Sequence, residues 1–347
     1  MNSVPHFKTN EFLMLLYLYL MFPFMVMGGE LLSMFGTWSV CIIIFLTGVQ
    51  ILLLFCSINR KLTITKDALS LIIRLILIIF LLLSAVRFTQ LFADLFVLAI
   101  RSDSSKYFVS AVMLGISAYA AYKGIRGLTA TSVIFIMISV ITFVLFIINT
   151  FQQVDFTRLK GIDFVDKDLP LSVALYISIN FVFPVLFVDN SSSPIRNKKK
   201  GLILAPIALL LTQLVFLLVM FLFIGKYAYT QAYPIYTLFR SSQLNILESV
   251  SGLWIFIISI FALCAITIPL NACIHLCGKT PHDDKQNGRL AIVVFVIAYV
   301  LYVAAEYKLI DFKSRFTIYL MAILSILSVI LCFIASKPKT LCRSKSQ

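Results

Sequence analysis

Charge is scarce in this sequence. Asp, Glu, Lys and Arg make up 13% of its 347 residues, against roughly 25% in ordinary soluble domains. Histidine is scarcer still: His6, His275 and His282 are the three present, and all lie near the edges of apolar runs. There is no strand–turn–helix nucleophile elbow, no metal-ligand pair at useful spacing and no phosphate-cradling glycine loop. These absences argue against an enzyme, and no cofactor or metal is expected. The seven cysteines make no disulfide framework. Cys41, Cys56, Cys264 and Cys332 sit within apolar runs, where a thiol acts as a small apolar side chain. In "CIHLCGKTPH", Cys273 and Cys277 are one helical turn apart, but His275 points away from their face and no zinc spacing matches.

What the chain has in abundance is apolar length. It is 61% hydrophobic, with a mean hydropathy of +1.01. Ten apolar runs recur near the ~20 residues that cross a bilayer core: 12–28, 37–57, 68–98, 106–122, 131–150, 171–189, 202–225, 250–274, 289–306 and 316–336. The first is too long for a removable signal peptide and lacks its small-residue cleavage site. The expected fold class is therefore all-α: a polytopic membrane protein of ten helices in a lipid bilayer. A single membrane domain covers 1–336, and 337–347 form a basic tail.

Basic loop residues set the orientation. With the N-terminus inside, cytoplasmic segments hold 17 Lys and Arg and outer loops hold 10. Both termini are thus expected in the cytoplasm. The +14 net charge then reads as topology, not as a nucleic-acid surface. Arg74, near the cytoplasmic end of its run, is expected to snorkel.

The polar segment Phe151–Pro170 divides the chain into five runs and five runs, repeat one over 12–150 and repeat two over 171–336. An odd number of crossings per half inverts the second half. The stretch "FPFMVMGGE" places Pro23 and the pair Gly28-Gly29 in the first run, and "LSVALYISINFVFPVLFVD" places Asn180 and Pro184 in the sixth. Proline removes a backbone donor and glycine exposes backbone. Interrupted segments at matching places in two halves point to a transporter-type cleft, although single proline kinks are common in membrane helices.

Arg87, Gln90 and Asp94 recur at helical spacing in "VRFTQLFADLF" and share one face. A charge in hydrocarbon costs at least ~2.5–3.5 kcal/mol by insertion scales, so such a face should turn inward. Arg87 and Asp94, two turns apart, could bracket a zwitterionic ligand or enter a structural ion pair; the residues alone leave both open.

At the loops the chain resembles the permease-like membrane subunit (B subunit) of nutrient germinant receptors of bacterial endospores. That family belongs to the amino acid–polyamine–organocation superfamily. The fullest match is "YPIYTLFRSSQLNILESVSGLWIFIISIF", with Tyr233-Pro234, Arg240, Leu247-Glu248 and Trp254. Others are Pro23 followed by Trp38, "AYKGIRG" (Ala121 to Gly127) and "MFLFIGKY" ending the seventh run. Departures are "GLTATS" where the family places an arginine, and Ser249 where it has Leu-Glu-Arg. Gly28-Gly29 also lie nearer the outer end of the first run than the superfamily's mid-span glycines.

The resemblance implies a LeuT-like inverted repeat with interrupted first and sixth helices. It implies a small nutrient ligand such as an amino acid, and two partners: a membrane subunit with a soluble N-terminal domain, and a lipoprotein. The location it implies is the spore inner membrane. An amino acid permease driven by protons or sodium is the competing function. The expected site lies between the first, third, sixth and eighth spans. Pro23 and Pro184 supply half-helix ends for the ligand's charged groups. Phe22, Tyr176, Phe181 and Phe183 supply an apolar wall, and Asn180 a donor and an acceptor. Arg87, Gln90 and Asp94 complete it. The polar outer segment 227–248 reads either as a broken, partly helical cap over the mouth or as a helix lying on lipid.

Overall fold

The computed structural model describes residues 14–15, 17–26, 38–57, 60–62, 68–100, 105–150, 156–157, 169–180, 198–225, 228, 231, 233–241, 250–277 and 284–338. Its helices are α1 (Tyr17–Val26), α2 (Trp38–Ser57), α3 (Ala68–Ile100), α4 (Lys106–Lys123), α5 (Ile125–Thr150), α6 (Leu169–Asn180), α7 (Lys198–Phe223), α8 (Pro234–Ser241), α9 (Val250–Cys277), α10 (Asp284–Glu306) and α11 (Arg315–Ala335). Two short strands, β1 (Arg60–Leu62) and β2 (Ser336–Pro338), pair antiparallel.

Six of the described helices, α3, α5, α7, α9, α10 and α11, contain stretches long and apolar enough to cross a membrane. Their outward faces settle what surrounds them. Phe316 is 76% exposed, Leu71 67%, Ile148 66% and Ile292 65%. Bands of large apolar side chains of this kind would be ruinous in water, but face hydrocarbon at little cost in a bilayer. Inside, α3 is the hub. It packs against α9, α4, α10 and α11, while α9 also packs on α4, α5 and α10. The second helix, α2, packs on α7, and α6 packs on α11.

Local chemistry explains several joints. Gly124 sits between α4 and α5 at φ +91°, a conformation that costs glycine little and other residues much; this is the glycine of "AYKGIRG". The last spanning helix begins at Ser314, whose Oγ accepts from the Thr317 N–H at 3.2 Å, an N-cap worth about 1 kcal/mol.

One expectation is corrected here. The first helix is not interrupted at Pro23: α1 runs as helix through it, with Phe22, Pro23 and Phe24 all buried. Proline within a helix loses one backbone hydrogen bond and bends the axis without having to end it. Gly28-Gly29, Phe181, Phe183 and Pro184 lie outside the described residues.

The strand pair ties the start of α3 to the end of α11, with Lys61 facing Lys337. Facing Cα atoms in an antiparallel pair stand about 4.5–5.5 Å apart, within reach of a disulfide. A Lys61→Cys, Lys337→Cys double variant should therefore yield a cross-linked peptide on oxidation, detected by mass spectrometry. Lys61→Cys with Lys313→Cys, at the other end of the bundle, should not.

Candidate functional site

Arg87 lies within α3, only 2% exposed. One terminal nitrogen donates to Ser178 Oγ of α6 at 2.8 Å, and that hydroxyl donates in turn to the Leu175 carbonyl at 2.7 Å. The Ser178 hydroxyl fixes one arm of the guanidinium in position. Beside it, the Phe88 ring is met edge-on by Tyr19 and Phe22 of α1, with centroids 5.8 and 5.9 Å away. The Tyr19 hydroxyl is buried with no hydrogen-bond partner among the described residues. Thus α1, α3 and α6 converge around one buried cation and three aromatic rings.

On another face of α6, Tyr176 is fully buried and its hydroxyl meets Thr47 Oγ1 of α2 at 3.2 Å. Gln213 of α7 lies against the same phenol. It too is fully buried, with neither its Nε2 nor its Oε1 in a hydrogen bond of ordinary geometry among the described residues. A related contact occurs elsewhere: Tyr17 of α1 donates to Thr212 Oγ1 of α7 at 3.0 Å. In the order of the apolar runs, one tyrosine–threonine bond joins the sixth to the second, and the other joins the first to the seventh. Buried polar atoms without partners are uncommon in proteins and mark places where water, an ion or a ligand belongs.

The three polar residues of α3 do not converge on one point. Gln90 Nε2 donates to Glu306 Oε1 of α10 at 3.5 Å. Asp94 pairs with Lys106 at the start of α4 and with Lys313 at 3.5 Å. Lys106 also offers its carbonyl to the Tyr302 hydroxyl at 3.4 Å. Asp94 therefore belongs to a polar network at one end of the bundle, two turns from Arg87. Asn180 ends the described part of α6. Thr47, Ser178, Gln213 and Tyr19 are the members that the sequence reading passed over. The available signal was a polar side chain inside an apolar run, as in "LLLTQLVF".

The end network has a measurable worth. Lys106 is 41% exposed and Asp94 12% at the side chain, so solvent screens the pair and its coupling should stay below about 1 kcal/mol. A cycle of Asp94→Asn, Lys106→Met and the double variant, followed by thermal unfolding, should show coupling of that size.

The short α8 falls within the polar segment 227–248. Ile235, Leu238 and Phe239 are fully buried, and α8 packs on α7 and α9. The Phe239 ring stacks on Trp254 at 4.0 Å, and the Tyr236 hydroxyl donates to the Ala99 carbonyl near the end of α3 at 3.3 Å. One face of the helix is thus packed into the bundle. Among the described residues, no group of three or more His, Cys, Asp or Glu is placed to hold a metal ion.

A family model described as spore germination protein matches residues 58–309. The matched stretch covers Arg87, Gln90, Asp94, Tyr176, Asn180, Phe181 and Pro184, and leaves Phe22 and Pro23 outside it. A search of curated proteins finds no match.

Proposed function

The chain belongs to the spore germination protein family, and from that premise we propose that it is the permease-like membrane subunit of a nutrient germinant receptor. It senses a small nutrient such as an amino acid in a cleft between the first, third, sixth and eighth spans (α1, α3, α6 and α9), and occupancy of the cleft triggers germination.

The observation that carries this reading is the buried guanidinium of Arg87, held at the junction of α1, α3 and α6 by Ser178. A protein does not spend a charge at that depth on packing that Leu or Phe would do better. Arg87 serves as the cation for the ligand's carboxylate. Tyr19, Phe22 and Phe88 form the wall against its side chain, with Phe181 completing it. Asn180 and a half-helix end near Pro184 supply the remaining polar contacts. Asp94 is placed at the mouth, where its lysine partners tie α3 to α4 and to the α10–α11 loop.

Ten spans in two inverted halves form the frame. Exchanging first with sixth, second with seventh, and so on, maps the Tyr17–Thr212 bond onto the Tyr176–Thr47 bond. The same exchange maps α3 on α10 onto α9 on α4, and α3 on α11 onto α9 on α5, all of which are packed pairs. Both termini face the cytoplasm, the membrane is the spore inner membrane, and the neighbours are a membrane subunit with a soluble domain and a lipoprotein. The α8 segment caps the outer mouth.

The same cleft would serve an amino acid permease. Proteoliposomes holding only this chain, tested with labelled amino acids under proton and sodium gradients, should show no uphill uptake. Gradient-driven accumulation would replace the sensing reading with transport.

A further inference from the structure

A cavity opens in the bundle between α1, α5, α7 and α9, with a volume of about 250 Å³. Its floor is aromatic: Phe216, Trp254 and Phe261 are 3%, 3% and 2% exposed. Its rim is Val140, Leu211 and Val215, all exposed on the outward face of the bundle. In a chain that spans a bilayer, that face meets lipid tails, so the cavity opens sideways into hydrocarbon.

We infer that this slot holds an acyl chain of a bilayer phospholipid. The hydroxyls that line it are already satisfied within the protein. Tyr17 donates to Thr212, Thr212 to the Ala208 carbonyl, and Ser139 to the Phe135 carbonyl. Water needs two to four polar partners to enter such a space, and with these hydroxyls engaged the Trp254 N–H at one end is too little to hold it, so the slot suits neither water nor a zwitterionic nutrient. Its volume exceeds the roughly 150 Å³ of an engineered apolar cavity that accepts benzene. A partner helix, about 10 Å across, is too wide for it. A methylene chain is not.

The slot also has a direction. Trp254 stands two residues inside the apolar span Gly252–Cys277, near the membrane surface, and Phe261 lies seven residues deeper, about 10 Å along the helix. The slot thus runs along the bilayer normal, as an acyl chain does. At its shallow end the Trp254 Nε1–H is buried with no hydrogen-bond partner among the described residues, at the level where a lipid's ester carbonyls offer acceptors. The geometry places the lipid beside Tyr17 and Thr212, the bond that joins α1 to α7, so chain occupancy bears directly on how those two helices sit together.

The test uses the full chain with Trp38→Phe, which leaves Trp254 as its one tryptophan, in nanodiscs of phosphatidylcholine with or without bromine atoms on the acyl chains. Bromine quenches tryptophan at contact. The brominated lipid is expected to quench Trp254 strongly despite its burial. Filling the slot with Val215→Phe and Ser139→Leu should remove most of that quenching, with the melting temperature checked alongside. Equal Trp254 emission in the two lipids, or undiminished quenching in a folded, filled variant, would overturn the proposal. Should the filled variant not fold, a phosphatidylcholine bearing a diazirine on its acyl chain decides the matter on the parental sequence. Photolabel on Phe216 and Phe261 is expected, and label confined to outward residues such as Val293 and Ile323 would overturn it.

Discussion

Spores carrying Arg87→Met should need roughly 30-fold more nutrient, or more, to reach half-maximal germination, because losing a buried charged hydrogen-bond partner costs about 2 kcal/mol at least. Methionine keeps the bulk of the side chain and removes its charge. Helix packing around Leu81, Ala85 and Phe88 should therefore survive, and the protein should accumulate in the membrane as before. Arg87→Lys should recover little, since an ammonium cannot reproduce the planar fork that reaches Ser178 and a carboxylate together. Ser178→Ala removes only the positioning contact, and its expected cost is about 1 kcal/mol, roughly a fivefold loss of sensitivity. Asp94→Asn, acting at the end of the bundle on a screened pair, should be milder than Arg87→Met. The ranking Arg87 above Ser178 above Asp94 is what a ligand-facing guanidinium requires, and germination curves over a nutrient dilution series measure it. A purely structural role for Arg87 would instead give losses of sensitivity that match falls in protein abundance.

The second large effect concerns which nutrient is recognised. Reshaping an apolar wall by a methylene or so changes discrimination between ligands by about 1–3 kcal/mol, or roughly 10- to 200-fold. Phe22→Leu, and Phe181→Leu or Phe181→Trp, should accordingly re-order a panel of amino acids by germination potency. Tyr176→Phe is the companion variant. It keeps the ring and deletes the hydroxyl that meets Thr47, so it should lower thermal stability by about 1 kcal/mol with a smaller change in ranking. Tyr176 faces α2 and α7, away from the Arg87 side of α6, and its role is to seat that helix. A panel on which all these variants keep the parental order and sensitivity would remove Phe22 and Phe181 from the wall.

Much of the frame was legible in the residues. Long apolar runs announce spanning helices because the period of side-chain burial matters less than the solvent they meet, and every described spanning helix falls on such a run. Arg87 was legible for the same reason: a charge amid Leu, Val and Phe has to turn inward. Other features were hidden by distance along the chain. Tyr17 and Thr212 are 195 positions apart, and nothing in either run marks the other. The partners of Asp94 were visible as loop lysines, Lys106 and Lys313, yet loop charge speaks to orientation and not to which lysine reaches back to which carboxylate. Pro23 misled because proline signals a lost hydrogen bond, whereas whether the helix ends there depends on the packing around it. Phe22 and Phe24 are buried against neighbouring helices, and that burial carries α1 through the proline. The lateral cavity had no sequence mark at all, since its lining comes from four helices far apart along the chain.

The most direct measurement of the central claim is ligand binding by the purified full chain in nanodiscs. Tritiated amino acids, presented one at a time as a panel, would be assayed at equilibrium against the parental chain, Arg87→Met and Lys106→Met. Saturable binding of at least one amino acid by the parental chain, retained in Lys106→Met and lost in Arg87→Met, is the expected result. Binding that Arg87→Met leaves unchanged, or no saturable binding of any amino acid by the parental chain, would contradict an amino acid cleft built around Arg87.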